Sequence, residues 1–107
     1  MNANTIVDIL LNIGNIRMEL EKINERIAKL LEENKLTKDH LEAAKESIKK
    51  SHDDITFYRE KIQGKKGKGL GIIIGYLSKA EISLQDAQQQ RLLYTNTYNA
   101  GLRKTQS

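Results

Sequence analysis

The sequence contains no cysteine, proline or tryptophan, and only 5% of its residues are aromatic. The absence of cysteine excludes disulfides, thiolate metal sites, thiol nucleophiles and the redox chemistry that cysteine supports. The absence of proline removes the strongest helix breaker, and the abundant Leu, Ile, Lys, Glu, Asn and Gln suit long helices. The 107 residues are enough for one modest core. We therefore expect a single all-α domain over residues 1–107.

The sequence also lacks a long apolar run. No stretch reaches the roughly 18 apolar residues that a membrane-spanning helix requires. The N-terminal segment MNANTIVDILLNIGNI has no positively charged region and carries Asp8 among its apolar residues, so it does not resemble a secretory signal. We expect a cytoplasmic protein without membrane contact, although leaderless export would leave no mark of this kind.

The strongest positive signal is a heptad repeat in the first third of the chain. Apolar residues recur at alternating steps of three and four, the spacing of a coiled-coil seam. The seam positions are Ile6, Ile9, Ile13, Ile16, Leu20, Ile23, Ile27 and Leu30. Leu10 and Leu31 widen the stripe, which suits a bundle with more than one neighbouring helix. We predict helix 1 over about residues 5–34, with Thr5 and Asp8 as a variant capping box.

The same register continues without a slip to Ile62, so two architectures are compatible with it. One helix over residues 5–63 would be roughly 85 Å long and would form a coiled-coil dimer. A turn within ENKLTKDH would instead give two helices. The turn is favoured because polar residues, Asn34 and Thr37, occupy two successive core positions there.

Helix 2 is then predicted over about residues 39–63, with Thr37 or Asp39 as its N-cap and with Asn34 or Lys35 ending helix 1. Ser51 weakens its otherwise apolar seam. The seam positions are Leu41, Ala44, Ile48, Ile55, Tyr58 and Ile62.

Residues 64–71 hold four glycines and three lysines, and this loop ends the helical pattern. The heptad then resumes at Ile73, Leu77, Ala80, Leu84, Ala87, Arg91, Tyr94 and Tyr98. We predict helix 3 over about residues 71–100, with Gly101 as its stop and residues 101–107 as a frayed tail. Three helices connected in this order form an antiparallel three-helix bundle with coiled-coil-like packing.

The glycine- and lysine-rich loop raises the question of phosphate binding, since a glycine-rich turn ahead of a helix can bind anions through its N–H groups. No window matches GxxxxGK followed by Ser or Thr, and no apolar strand precedes the glycines as dinucleotide binding requires. The apolar run LGIIIGYL that follows is short, and its Ile73 and Leu77 already belong to the seam. We interpret the loop as an interhelical turn.

No catalytic or metal-binding constellation is evident: His40 and His52 are twelve residues apart on flanking positions of the register. We therefore predict a non-enzymatic protein, without cofactor or small-molecule substrate, that presents helix faces to a protein partner or to a second copy. An adaptor, assembly factor, secretion-associated chaperone or inhibitor would have this character. The candidate partner-binding residues are the apolar ones that no single seam uses: Leu10, Leu31, Ile72, Ile74 and Tyr76.

The distribution of charge supports an alternative, sequence-nonspecific binding of nucleic acid. Residues 1–63 hold 11 Lys and Arg against 12 Asp and Glu, whereas residues 64–107 hold 7 against 2. A basic excess of this kind favours an anionic partner. The candidate phosphate contacts in the loop and helix 3 are Lys65, Lys66, Lys68, Lys79 and Arg91.

Overall fold

The computed structural model describes the chain from Asn2 to Gln106, with side chains described as far as Gly101. It contains three helices, α1 (Ala3–Glu32), α2 (Lys38–Ile62) and α3 (Leu70–Gln106), and no strand over this range. Each helix packs against both others, so the chain is an all-α three-helix bundle with dimensions of 61 × 22 × 17 Å. The predicted fold class is confirmed.

The chain turns between α1 and α2, so the alternative prediction of one long helix over residues 5–63 is wrong. Asn34 adopts a left-handed conformation with φ 56°. Its N–H donates to the Leu31 carbonyl at 3.2 Å, and the Lys35 N–H donates to the Leu30 carbonyl at 2.9 Å. This is the Schellman arrangement, which ends a helix by satisfying its last carbonyls. Asparagine tolerates the left-handed conformation, and therefore the turn needs neither glycine nor proline.

The N-caps of the first two helices are side chains that accept hydrogen bonds from early backbone N–H groups. Asn2 caps α1, because its Oδ1 accepts from the Thr5 N–H at 2.8 Å; the predicted cap at Thr5 is wrong. Of the two predicted caps of α2, Thr37 and Asp39, the structure has Thr37, whose Oγ1 accepts from the His40 N–H at 3.2 Å.

The core follows the predicted seams and divides into two clusters. The larger one runs along most of the bundle and is formed by Ile9, Ile13, Ile16, Leu20, Ile48, Ile55, Ile62, Ile73, Leu77, Ala80, Leu84 and Ala87. The smaller one, Ile27, Leu41 and Tyr94, lies at the end of the bundle where α1 turns into α2. Ala80 and Ala87 are fully buried, and their small side chains allow the neighbouring helices to approach α3 closely.

The glycines of the loop between α2 and α3 allow positive φ angles and the close approach of the loop to α1. Gly64, Gly67 and Gly69 all have positive φ, with values of 76°, 142° and 91°. A Cβ on Gly69 would lie 2.7 Å from Cδ1 of Ile6, so α3 begins directly beside the start of α1. Because two reversals separate them, α1 and α3 run in the same direction, side by side, from this end of the bundle.

The third helix is longer than predicted. The sequence predicts a stop at Gly101 and a frayed tail over residues 101–107, but α3 continues to Gln106. The positive φ that a glycine cap requires is found at Gly64, Gly67 and Gly69 and not at Gly101. Of the predicted tail, Ser107 lies outside the described residues.

Candidate protein-interaction surface

Six of the large apolar side chains that the described part of the bundle leaves exposed lie on two adjacent helices, α1 and the first half of α3. They are 41–62% exposed. Two glycines, Gly14 and Gly75, lie among them on the same helix faces. We call this set the α1/α3 face: Val7, Leu11, Gly14 and Met18 on α1, and Ile72, Gly75, Tyr76 and Ile82 on α3.

On α1, the members of this face form a second heptad stripe. Val7, Leu11, Gly14 and Met18 follow one another at steps of four, three and four, which places them on one side of the helix. The buried seam through Leu20 occupies the opposite side. The first half of α1 is therefore apolar on its outer face as well as on its inner face.

On α3, a matching stripe passes through Ile72, Gly75, Lys79 and Ile82 at steps of three, four and three, with Tyr76 beside it. The two helices that carry the stripes lie next to each other, because α3 starts beside Ile6. Farther along the two helices, a cavity of about 140 Å³ is lined jointly by Ile13, Gly14, Arg17, Tyr76 and Lys79. Gly14 from α1 and Tyr76 from α3 therefore meet at the junction of the two parallel helices.

Neither a positive φ nor a close neighbour among the described residues requires glycine at Gly14 or Gly75. Both lie inside helices, and a Cβ at either position would meet no atom within 4 Å. A glycine inside a helix is about 0.5–1 kcal/mol less favourable than alanine. Each stripe lacks a side chain at its glycine, so the backbone of another helix can approach closely there.

The charges at the junction of the two stripes are cationic. Nε of Arg17 lies 3.1 Å from Oε1 of Glu21, so this charge is compensated within α1. Within the described part of the chain, no carboxylate lies within 4.0 Å of Nζ of Lys79. The apolar face thus carries one uncompensated positive charge at its centre line.

The structure separates the predicted apolar partner residues. Ile72 and Tyr76 belong to the α1/α3 face. Ile74 points to the other side of α3, where it lines a cavity with Ile62 and other α2 residues. Leu10 and Leu31 are half-buried and pack against the larger and smaller core clusters respectively. They widen the core, and the exposed apolar surface lies elsewhere.

The predicted basic residues are also separated. Lys65, Lys66 and Lys68 are exposed in the loop at one end of the bundle. Lys79 lies between α1 and α3, and Arg91 lies between α2 and α3, about 30 Å along the helix from the loop. The structure does not bring these five residues into one patch.

Sequence reasoning missed the two glycines of the face and four of its apolar side chains. Val7, Leu11, Met18 and Ile82 were not singled out, although the first three follow the heptad spacing on α1. Projecting each helix and marking every apolar residue outside its main seam would have found them.

Ionisable groups form no reactive cluster over the described residues. No group of three or more His, Asp or Glu side chains is arranged to hold a metal ion there. His52 is exposed and His40 is half-buried. The shifted pKa values belong to an ion pair between α2 and α3, in which the hydrogen bonds raise the pKa of Arg59 and lower that of Glu81. None of the helices, over the described residues, is long and apolar enough to cross a membrane.

Compared with models of protein families, with curated proteins and with solved structures, the chain matches none of them.

Proposed function

We propose that this protein is a non-enzymatic interaction module that binds an amphipathic helix of a protein partner on the α1/α3 face. The observation that supports this most is the pair of apolar stripes on two adjacent helices, each with a glycine at which an added Cβ would meet no atom within 4 Å. An amphipathic helix laid into a groove between two helices is a recurring mode of peptide recognition. Its apolar side would cover the stripes, and its backbone would approach at Gly14 and Gly75.

The charge of the face favours an acidic partner helix over a second copy. In a two-fold symmetric dimer the same patch contacts itself, so Lys79 of one copy would enter an interface with Lys79 of the other. A partner helix with Glu or Asp at the border of its apolar stripe would instead pair with Lys79. The proposed partner is therefore an amphipathic helix with an acidic flank.

The experiment compares two double variants with the same chemistry. Leu11→Asp with Ile72→Asp places charges in the α1/α3 face. Ile74→Asp with Leu92→Asp places the same charges on exposed apolar positions at the other side of α3. Circular dichroism should show equal helicity for both, since all four side chains are about half exposed or more.

Partners are captured from an extract of the native source, with nuclease, and identified by mass spectrometry. A synthetic peptide of the partner's acidic amphipathic helix is then titrated against each variant. We expect the wild type and the Ile74/Leu92 variant to bind the peptide, and the Leu11/Ile72 variant to lose binding by about tenfold or more.

Three outcomes would overturn the proposal. Equal binding by the two variants would show that the partner uses another surface. A captured protein without an acidic amphipathic helix would contradict the stated chemistry. Dimers of the wild type in light scattering, converted to monomers by the Leu11/Ile72 variant, would assign the face to self-association.

Adaptor, assembly factor, secretion-associated chaperone and inhibitor all fall within this proposed class, and the identity of the partner decides among them. The expected cytoplasmic location stays a prediction, and imaging of a tagged copy in the native cell tests it.

A further inference from the structure

A second feature of the surface, on another side of the bundle, is a basic groove between α2 and α3. Its volume is about 380 Å³. We call it the α2/α3 groove, and it is lined by Lys45, Ile48, Lys49, His52, Gln88 and Arg91. Ile48 is buried and forms the floor, while Lys45 and Lys49 are exposed.

The positively charged side chains of this groove have no ion-pair partner among the described residues. Over the described residues, no carboxylate lies within 4.0 Å of Lys45, Lys49 or Arg91. The neighbouring cation between the same helices differs, since Nη2 of Arg59 donates to Oε2 of Glu81 at 2.7 Å. Arg59 thus has a carboxylate partner within the bundle, whereas the three cations of the groove can bind an external anion.

We propose that the α2/α3 groove binds the phosphodiester backbone of single-stranded nucleic acid. Lys45 and Lys49 are one turn apart, about 6 Å along the axis, and Arg91 adds a planar donor group from α3. Cations at intervals along a groove match a polyanion with regularly repeated charges, and arginine is well suited to phosphate oxygens. A groove between two helices accepts one strand more readily than the wider duplex.

The lining of the groove also predicts how binding depends on sequence. No Phe, Tyr or Trp side chain lines it, and its polar side chains besides the three cations are His52 and Gln88. Without a row of large aromatic rings or a set of groups that read base edges, the contacts go mainly to phosphates and carry little sequence information. Binding should be equal for unrelated sequences and should weaken steeply with salt.

This site is independent of the α1/α3 face. The lysines of the loop, which the sequence suggested for the same kind of contact, provide a matched control because they are exposed at the end of the bundle. One variant carries Lys45→Glu, Lys49→Glu and Arg91→Glu. The other carries Lys65→Glu, Lys66→Glu and Lys68→Glu, which changes the net charge by the same amount.

Fluorescence anisotropy measures the binding of a short labelled single strand of mixed sequence between about 50 and 200 mM salt. We expect the groove variant to lose affinity at least tenfold, and the slope of log K against log salt to fall by about 2 for three lost contacts. The loop variant should keep its affinity within a fewfold and should keep its slope. A second groove variant with Lys45→Gln, Lys49→Gln and Arg91→Gln tests the same contacts without adding negative charge next to Glu42 and Glu46.

The proposal is overturned by any of four results. These are no binding by the wild type at the lower salt, equal losses in the groove and loop variants, tighter binding of the duplex than of the single strand, and displacement of the strand by an equal charge of polyglutamate. Equal losses would mean that net charge alone drives binding, and displacement would mean that the groove accepts acidic protein instead.

Discussion

The phenolic oxygen of Tyr94 accepts a hydrogen bond from the Thr37 amide at 2.8 Å and donates one to the Thr37 carbonyl at 2.9 Å. The two residues are 57 positions apart, and Thr37 is the N-cap of α2. Tyr94 is only 2% exposed. The buried side chain from α3 thus holds the turn between α1 and α2 at its backbone, and connects the three helices at one end of the bundle.

Replacement of Tyr94 by Phe should remove both hydrogen bonds and keep the ring in the core. We expect a loss of about 1–2 kcal/mol in the free energy of unfolding, because the backbone N–H and C=O of Thr37 lose their hydrogen bonds to the buried hydroxyl. Urea denaturation measures it. Tyr98→Phe is the control, since the Tyr98 hydroxyl makes no hydrogen bond to a described residue; losses of equal size in both variants would contradict the role of Tyr94.

Neighbouring isoleucines on α3 should respond differently to truncation. Ile73 is 0% exposed and Ile72 is 56% exposed. Ile73→Ala should cost about 2–5 kcal/mol of stability because it creates a cavity in the larger core cluster. Ile72→Ala should stay within about 0.5 kcal/mol of the wild type. Thermal and chemical denaturation compare the two, and a large loss for Ile72→Ala would mean that Ile72 belongs to the core.

Two glycines at the start of α3 should have opposite effects when changed to alanine. Gly69→Ala introduces a side chain at φ 91° and places its Cβ 2.7 Å from the Ile6 side chain. We expect a loss of about 1–2 kcal/mol or more. Gly71→Ala adds a Cβ in open space inside the helix and should stabilise the fold by about 0.5–1 kcal/mol. Denaturation of both variants under one condition checks the opposite signs.

The ion pair of Arg59 and Glu81 should make stability depend on acid pH. Hydrogen bonding to Arg59 lowers the pKa of Glu81 in the folded state. The contribution of the pair is therefore fully present above the ordinary glutamate pKa, about 4.3, and is lost as the pH falls through the lower folded-state pKa. Both side chains are about a third to a half exposed, so the pair contributes about 0.5–1 kcal/mol near neutral pH.

Glu81→Gln tests this prediction. Its difference in stability from the wild type should be present at neutral pH and should shrink toward zero in acid, in urea titrations repeated across the pH range. Glu19→Gln is the matched control, because its partner Lys22 lies on the same exposed helix surface at 3.6 Å and its removal should change stability little. A constant difference between Glu81→Gln and the wild type down to low pH would contradict the prediction.

The fold could be predicted largely from local spacing. Heptad steps specify which side of each helix is buried, and that information alone identified almost the whole core. The ends of the helices were harder, because they depend on single backbone conformations. Asn34 ends α1 through a left-handed φ that sequence reasoning could only suggest, and Gly101 remains helical although glycine at that place favours a stop.

The candidate surfaces were less predictable, since they depend on which helix faces meet in space. Ile72, Ile73 and Ile74 are consecutive, yet a rotation of about 100° per residue sends them toward the α1 side, the core and the α2 side. These consecutive apolar residues therefore do not form one surface patch. The α2/α3 groove combines Lys45 and Arg91, which lie on different helices, and only the packing of α2 against α3 brings them together.

The parallel course of α1 and α3 has a practical effect on how the molecule can be attached to a surface. Ala3 and Gln106, the outer ends of these helices, lie at opposite poles of a rod 61 Å long. Val7 and Ile72 lie within two turns of the first pole. A tether placed beyond Gln106 leaves the α1/α3 face open to solution, whereas a tether ahead of Ala3 would shield it. Immobilised binding measurements should therefore use the far pole as the anchor.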